Sequence, residues 1–114
     1  MEKKLRFRVV IAGDSKIADR PFVCRKLERI LGPKIKTHAV SIVSGCGPGP
    51  ASIGAEWAIQ KGIPVNAIPL DPQFGEEVQH ELMLSNADAI IAFDDPILAG
   101  QAMARKKILR EVKS

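Results

Sequence analysis

Three glycines alternate with other residues at positions 45–50, a segment that reads Gly-Cys-Gly-Pro-Gly-Pro and is named the glycine hexad below. A β-branched apolar run precedes the hexad and an amphipathic segment follows it, which predicts a strand-to-helix connection. Glycines let a backbone approach a ligand closely, and the first N–H groups of a helix are unpaired and electropositive. A phosphate group fits such a turn. A tight turn without a ligand is the alternative interpretation.

The hexad differs from the two best-known phosphate-binding loops. No Gly-Lys-Ser/Thr triplet follows it, and its glycines are out of phase with the dinucleotide fingerprint G-x-G-x-x-G. We therefore expect backbone N–H groups to hold the phosphate. The predicted phosphate-binding residues are Ser44, Gly45, Gly47, Gly49, Ala51 and Ser52. The Ser44 hydroxyl either faces the ligand or bonds within its own loop.

Other polar residues also follow apolar runs. Gly13 is followed by Asp14, Ser15, Lys16 and Asp19. These side chains either bind a ribose or a phosphate, or cap a helix that begins near Pro21. Lys16 is the one cation predicted near the phosphate, which implies modest affinity.

Three acidic residues are candidates for general acid or base chemistry, namely Glu56, Glu81 and Asp94. Adjacent carboxylates at Asp94 and Asp95 suit either Mg²⁺ binding or helix capping, and capping is the commoner role. No Ser-His-Asp or Cys-His pair follows from the spacing. The two cysteines and two histidines lack zinc-site spacing, so we predict no metal site and free thiols.

Apolar periodicity divides the chain into alternating strands and helices. Predicted strands occupy residues 7–12, 39–43, 64–68 and 89–93. Predicted helices occupy residues 22–31, 51–61, 76–85 and 100–112, and Gly32-Pro33 is expected to end the first of them. Trp57 is expected to face the core.

This alternation predicts an α/β fold, a Rossmann-like three-layer α/β/α sandwich in a single domain of residues 1–114. The sheet is expected to be mainly parallel and four-stranded, with five strands as the alternative. Ligands bind beyond the carboxyl ends of such strands. The loops at 13–21, 44–51, 69–75 and 94–99 should therefore surround the site, and they contain every unusual residue cluster noted above.

Composition narrows the function classes. The chain has 114 residues, 46% of them hydrophobic, and no apolar run near the ~20 residues of a membrane span. The first residues lack the apolar core of a signal peptide, which favours a cytoplasmic protein without a membrane partner. A net charge of +4 leaves nucleic acid as an alternative partner. The cations cluster at the two termini, however, and aromatic stacking residues are few.

Several segments together resemble the SLOG superfamily of Rossmann-like proteins. They are the first strand ending at Gly13, then SGCGPGPASIGAEWA, KGIPV and NADAIIAF. This superfamily groups LOG ("lysine decarboxylase-like") phosphoribohydrolases, the DNA-processing protein DprA/Smf and small YspA-like proteins, and the YspA-like branch is the most similar. The matching positions are Gly13, Ile17, Asp19, Gly45, Gly49, Trp57, Ala58, Met83, Ala87, Asp88, Ile91, Ala92, Phe93 and Gly100.

The departures from the family pattern concern polar residues of its site. Ser15 replaces an Arg, Pro48 and Ala51 replace an Arg and an Asp, and Gln101 replaces a Thr. Gln79-His80 stands in place of an Arg-Asn pair. The family's usual strand after the last helix is expected to be absent, because the predicted closing helix extends to residue 112 and the sequence stops at Ser114.

The hexad also resembles the G-G-G-P-G segment with which LOG enzymes hold a nucleotide monophosphate. Their catalytic stretch, P-G-G-x-G-T-x-x-E, falls on residues 96–104 here, with Ala104 in place of the catalytic Glu. A methyl group performs no acid–base work and stabilises no oxocarbenium ion. The resemblance therefore implies a nucleotide-binding protein without LOG catalysis, in which Asp94 and Gly100 wall the far side of the ligand site.

Two other functions remain as alternatives. One is a nucleotide N-glycosidase with rearranged acids, and the other is a nucleic-acid-binding or protein-interaction module. No cofactor other than a nucleotide ligand is implied. The family also implies a homodimer, and an apolar stripe of Phe22, Ile53 and Trp57 would suit either a partner or the core of the protein itself.

Overall fold

The computed structural model describes residues 5–113, in which strands and helices alternate along the chain. The elements are β1 (Leu5–Gly13), α1 (Arg20–Thr37), β2 (His38–Ser44), α2 (Pro50–Gln60), β3 (Val65–Ala67), α3 (Gly75–Ser85), β4 (Ala89–Phe93), α4 (Pro96–Ala104) and β5 (Ile108–Val112).

The five strands form one parallel sheet in the order β3-β2-β1-β4-β5. Strand β1 lies at the centre, where Val9 is opposite Ile42 of β2 and Ile11 is opposite Ile91 of β4. All five residues of β4 are buried, as expected for a strand covered on both faces. The predicted α/β class and the Rossmann-like α/β/α arrangement are confirmed, with five strands rather than four.

Alternate residues of each strand feed two separate cores. On one face, Val9 and Ile11 pack with α1 and α2 through residues such as Leu27 and Trp57. On the other face, Val10 and Ile90 pack with α3 and α4 through Met83, Leu98 and Ala102. Each core closes one side of the sheet, which gives the three layers.

The predicted core position of Trp57 is confirmed. Its ring is buried on the α1 side of the sheet, and its indole N–H donates to Glu28 Oε1 at 3.1 Å. Ile53 belongs to the same core, and Phe22 packs against it. The stripe is thus occupied within the chain and gives no support for a dimer.

The prediction for residues 100–112 was wrong. The last helix, α4, begins earlier, because Pro96 starts it and Asp95 Oδ1 accepts the Leu98 N–H at 3.1 Å. The helix ends before Lys106, whose φ of 57° turns the chain into β5. Strand β5 then pairs with every residue of β4, from Ala89 opposite Ile108 to Phe93 opposite Val112. A strand after the last helix, which the sequence analysis expected to be absent, is therefore present.

The predicted end of α1 at Gly32-Pro33 was also wrong, because the helix continues to Thr37 with Pro33 inside it. Proline removes one helical hydrogen bond and usually ends a helix. Here Leu31 is buried in the core and Ile35 packs against the same cluster, so apolar contacts hold the final turns in place. The His38 N–H then closes the end by donating to the Lys34 carbonyl.

A side-chain clamp joins the amino ends of β1 and β4. The Asp88 carboxylate accepts the Arg8 backbone N–H at 2.8 Å and the Arg8 guanidinium at 3.4 Å. Burial by itself would raise the pKa of Asp88, but the hydrogen bonds from Arg8 outweigh it and hold this pKa below its usual value. Asp88 therefore has a structural role.

No helix among residues 5–113 combines the length and the apolar character needed to cross a membrane.

Candidate functional site

The winding of the sheet reverses between β1 and β4, and this defines the switch point. Connections from β1 lead outward to β2 and β3, whereas β4 lies on the other side of β1 and leads to β5. Crevices beyond the carboxyl ends of strands at such a point are the usual ligand sites of open α/β sheets. The loops after β1 and β4 meet there, and the loop after β2 lies against the β1 loop, so three of the four predicted loops lie at this edge of the sheet.

A crevice of about 380 Å³ opens at this switch point. Its lining consists of Asp14, Lys16, Ile17, Ala18, Asp19, Phe22 and Asp94. The structure therefore brings four predicted site residues together, three carboxylates and one ammonium group. Carboxylates outnumber cations here, so the crevice itself suits hydroxyl and amino donors better than a second anionic group.

The loop after β1 is shaped by its own aspartates. Asp14 Oδ1 accepts the Lys16 N–H at 2.9 Å, and Asp19 Oδ1 accepts the Phe22 N–H at 3.1 Å. The second bond caps α1, which is one of the two roles that the sequence left open for Asp19. Each carboxylate keeps further acceptor capacity for a ligand.

Gly13 and Gly49 allow the loops to close on one another. A Cβ on Gly13 would lie 2.5 Å from the Phe93 carbonyl oxygen, across the ends of β1 and β4. A Cβ on Gly49 would lie 2.9 Å from the Asp14 carbonyl oxygen and 3.0 Å from the Ser15 Cα. Gly49 also has a φ of 84°, which favours glycine. The hexad and the β1 loop are thus in backbone contact.

The amino terminus of α2 is open. Gly49 is its N-cap, no side chain caps its first turn, and that turn contains no acidic residue. Pro50 has no N–H, and the first N–H that closes a helical turn is that of Ile53, which donates to the Gly49 carbonyl at 3.0 Å. The N–H groups of Ala51 and Ser52 precede that bond and have no partner within the helix.

The other three helices described in residues 5–113 each have acidic side chains at the amino terminus. Asp19 caps α1 and Asp95 caps α4, whereas α3 has Glu76 and Glu77 in its first turn. Helix α2 alone has neither device. Its first turn therefore keeps the positive end of the helix dipole without a compensating charge from the chain.

The side chains of Ser44 and Gln79 hold the hexad through hydrogen bonds to its backbone. Ser44 is buried, and its hydroxyl oxygen accepts the Cys46 N–H at 3.2 Å, so it bonds within its own loop. Gln79 of α3 donates from Nε2 to the Gly45 carbonyl at 2.7 Å and to the Ile68 carbonyl at 3.0 Å. Sequence reasoning missed this role of Gln79, because nothing local shows which carbonyls a helix residue reaches.

The candidate acids do not form one constellation. Glu56 lies on α2 and is ion-paired with Arg20, while Glu81 lies on α3, on the opposite side of the sheet, and is ion-paired with Arg105. The hydrogen bond from Arg105 lowers the pKa of Glu81, which is opposite to what a general acid needs. Asp94 alone lies in the crevice, with its N–H bonded to the Val112 carbonyl at 2.9 Å.

The remaining predicted positions lie on α4. Gly100 is exposed in the middle of this helix and is not among the residues that line the crevice. Ala104 is its last residue. Among residues 5–113, no group of three or more histidine, cysteine, aspartate or glutamate side chains is arranged to hold a metal ion.

The structure is that of an α/β protein with a crevice at the switch point and, at the same edge of the sheet, a helix whose first turn is uncapped. Comparison of the chain with models of protein families, with curated proteins and with solved structures gave no match in any of the three cases. The resemblance to the SLOG superfamily therefore stays a prediction.

Proposed function

We propose that the protein binds a nucleotide-type ligand with a single phosphate at the carboxyl edge of the sheet. The observation that supports this most is the uncapped first turn of α2 behind a braced, glycine-rich loop. In this proposal the phosphate accepts hydrogen bonds from the backbone N–H groups of Gly47, Ala51 and Ser52. The helix dipole adds to that attraction.

Space and rigidity support the phosphate position. A Cβ on Gly47 would meet no atom within 4 Å, so the loop is open on that side. Ser44 and Gln79 hold the loop through hydrogen bonds to its backbone. Donors fixed before binding lose little conformational entropy on binding, which favours affinity.

In this proposal the sugar of the ligand lies in the crevice, at the same edge of the sheet as the phosphate. Asp14, Asp19 and Asp94 offer carboxylate oxygens to ribose hydroxyls, and Phe22 adds an apolar surface. Lys16 is the single cation in the lining. Because three carboxylates line the crevice with this one cation, a second or third phosphate on the ligand would be repelled. The nucleoside monophosphate is therefore the favoured class of ligand.

The proposal is one of binding without catalysis. Glu56 and Glu81 lie on opposite sides of the sheet in ion pairs, and Ala104 stands at the position of the LOG catalytic glutamate. An N-glycosidase would need an acid and a base on either side of one bond. Asp94 is the only one of the three candidates in the crevice lining.

Isothermal titration with AMP, ADP and adenosine tests the proposal. We expect AMP to bind and adenosine to bind at least about tenfold more weakly, because it lacks the charge-assisted hydrogen bonds. We expect ADP to bind no more tightly than AMP. Equal affinity for adenosine, or no AMP binding at millimolar concentration, would contradict the proposal. Chromatography of the same mixtures separates the alternatives, since released adenine would indicate a glycosidase.

A further inference from the structure

A groove lies on the face of the sheet that carries α1 and α2, at the opposite end from the crevice. Helix α2 packs over β1, β2 and β3, and α1 packs over β2, which leaves β5 less covered on this face. Beside α1 a space of about 660 Å³ remains, lined by residues of α1, β1, β4 and β5. Phe22 packs edge-on against the buried Phe93, at the carboxyl end of β4 and on the same face of the sheet.

The groove combines an aliphatic interior with cationic edges. Its accessible apolar lining residues are Ile30, Pro33 and Ile108, and the buried side chains of Val9, Leu31 and Ile91 lie beneath them. Arg29 and Lys34 of α1 stand on one side and Arg110 of β5 on the other. None of the thirteen lining residues carries a carboxylate. A ligand for this space should therefore be apolar along most of its length and negatively charged at one point.

The three cations are not neutralised by carboxylates of residues 5–113. The ion pairs of this part of the chain involve Arg8, Arg20, Lys61 and Arg105 instead. The Lys34 ammonium lies 4.9 Å from the centre of the Phe7 ring, at the end of the groove nearest the amino ends of the strands. An anionic group would give these cations a stronger partner than an aromatic face.

The dimensions favour a small molecule over a protein partner. Small-molecule sites typically enclose about 300–1,000 Å³, which includes the volume found here. Ile108, at 55%, is the one large apolar lining residue that is exposed. A docking helix is about 10–12 Å wide and buries several large apolar side chains, whereas an alkyl chain needs only a narrow apolar strip such as Ile30, Pro33 and Ile108 provide.

We propose that this groove binds a single-chain anionic amphiphile, such as a free alkyl carboxylate. The chain lies along the accessible residues Ile30, Pro33 and Ile108, and the head group lies among Arg29, Lys34 and Arg110. This proposal does not rest on nucleotide binding, because the two sites share no residue.

The first experiment is a titration with octanoate, decanoate and dodecanoate below their micelle concentrations, with decanol and decylammonium as controls. Burial of each added CH₂ should raise the affinity about threefold to fourfold until the chain fills the groove. Decanol and decylammonium should bind at least about tenfold more weakly than decanoate, because neither satisfies the cations. Amphiphile binding that depends on chain length but not on the charge of the head group would overturn the proposal.

Variants locate the binding site. Lys34→Gln and Arg110→Gln each remove one cation from the groove and should weaken decanoate binding by roughly tenfold. Lys36→Gln removes the same charge from an exposed position of α1 that does not line the groove, and should leave affinity unchanged. Equal weakening in all three variants would show non-specific attraction and overturn the proposal.

The competing occupant is a second copy of the chain. Val78 and Leu82 of α3 and its N-cap residue Phe74 are exposed, close to Glu77. If these side chains filled the groove, the protein would self-associate, Val78→Glu would make it monomeric, and decanoate would compete with association. Sedimentation measurements with and without decanoate distinguish the cases: a concentration-independent monomer that binds decanoate supports the proposal, and a dimer that decanoate dissociates overturns it.

Discussion

Gln79 on one face of the sheet is bonded to Gly45 in the glycine hexad, with 2.7 Å between Nε2 and the carbonyl oxygen. The same amide group donates to the Ile68 carbonyl at 3.0 Å, so one side chain ties the loops after β2 and β3 to α3. If the predicted resemblance to the SLOG superfamily holds, Gln79 stands where that pattern has an arginine. It retains a donor there without the positive charge.

The first prediction concerns this tie. Gln79→Leu leaves two carbonyls without their donor, and should lower the free energy of unfolding by about 1–3 kcal/mol. It should also speed hydrogen exchange of the Cys46 and Gly47 amides. Glu77→Leu, two residues earlier and exposed, is the control for introducing leucine on α3. If both variants exchange hydrogen in the hexad at the same rate, Gln79 does not brace the loop.

The second prediction tests the contact between the hexad and the β1 loop. Gly49→Ala places a Cβ against the Asp14 carbonyl and the Ser15 Cα, at a φ of 84°. We expect a loss of about 2 kcal/mol or more in urea denaturation. Gly47→Ala meets no atom within 4 Å and should cost less than about 1 kcal/mol. Similar losses for the two variants would mean that the loops are not in contact as described.

The third prediction concerns acid. The pKa of Asp88 is lowered in the folded protein, because hydrogen bonds from Arg8 outweigh the effect of burial. A lowered folded-state pKa stabilises the protein above the unfolded-state value of about 4, and this contribution is lost as the pH falls through the folded-state value. The stability difference between wild type and Asp88→Asn should therefore be constant near neutral pH and shrink below about pH 4.

Urea denaturation across this pH range measures that difference. Glu111→Gln makes the same charge change at an exposed position of β5 and controls for net charge. A wild-type advantage over Asp88→Asn that persists unchanged at the lowest pH would contradict the role assigned to the Asp88–Arg8 clamp.

The fourth prediction separates stability from binding at one residue. Ser52 is exposed in the first turn of α2. Ser52→Asp should stabilise the protein by about 0.3–1 kcal/mol through the helix dipole, yet weaken AMP binding at least about tenfold by repelling the phosphate. Ser52→Asn has nearly the same shape without the charge and should change neither quantity by as much. Unchanged AMP affinity in Ser52→Asp would place the phosphate elsewhere.

The strands of the interior were the most predictable part of the fold. β1, β2 and β4 are apolar over most of their length because both faces are covered, and β4 has the bounds that the sequence indicated. The strand-to-helix turn at the glycine hexad was also predictable, because glycine and proline determine the backbone conformation locally. Both the strands and the turn are indicated by residues that are adjacent in the sequence.

The errors came from interactions that are distant in the sequence. Residues 108–112 form an edge strand with several exposed side chains, so their pattern does not distinguish a strand from a helix, and pairing with β4 decides the outcome. Pro33 favoured a helix end, but the core contacts of Leu31 and Ile35 prevailed. The roles of Gln79 and Asp88 likewise depend on partners 34 and 80 residues away.

The central claim is that a nucleotide phosphate binds at the first turn of α2, and backbone amide resonances test it most directly. Titration of ¹⁵N-labelled protein with AMP should produce saturable shifts of the Gly47, Gly49, Ala51 and Ser52 amides, with smaller shifts there for adenosine. The amides of Lys36 and Lys107, at the opposite edge of the sheet, should not move. Saturable shifts confined to other parts of the chain, or none at millimolar AMP, would contradict the account.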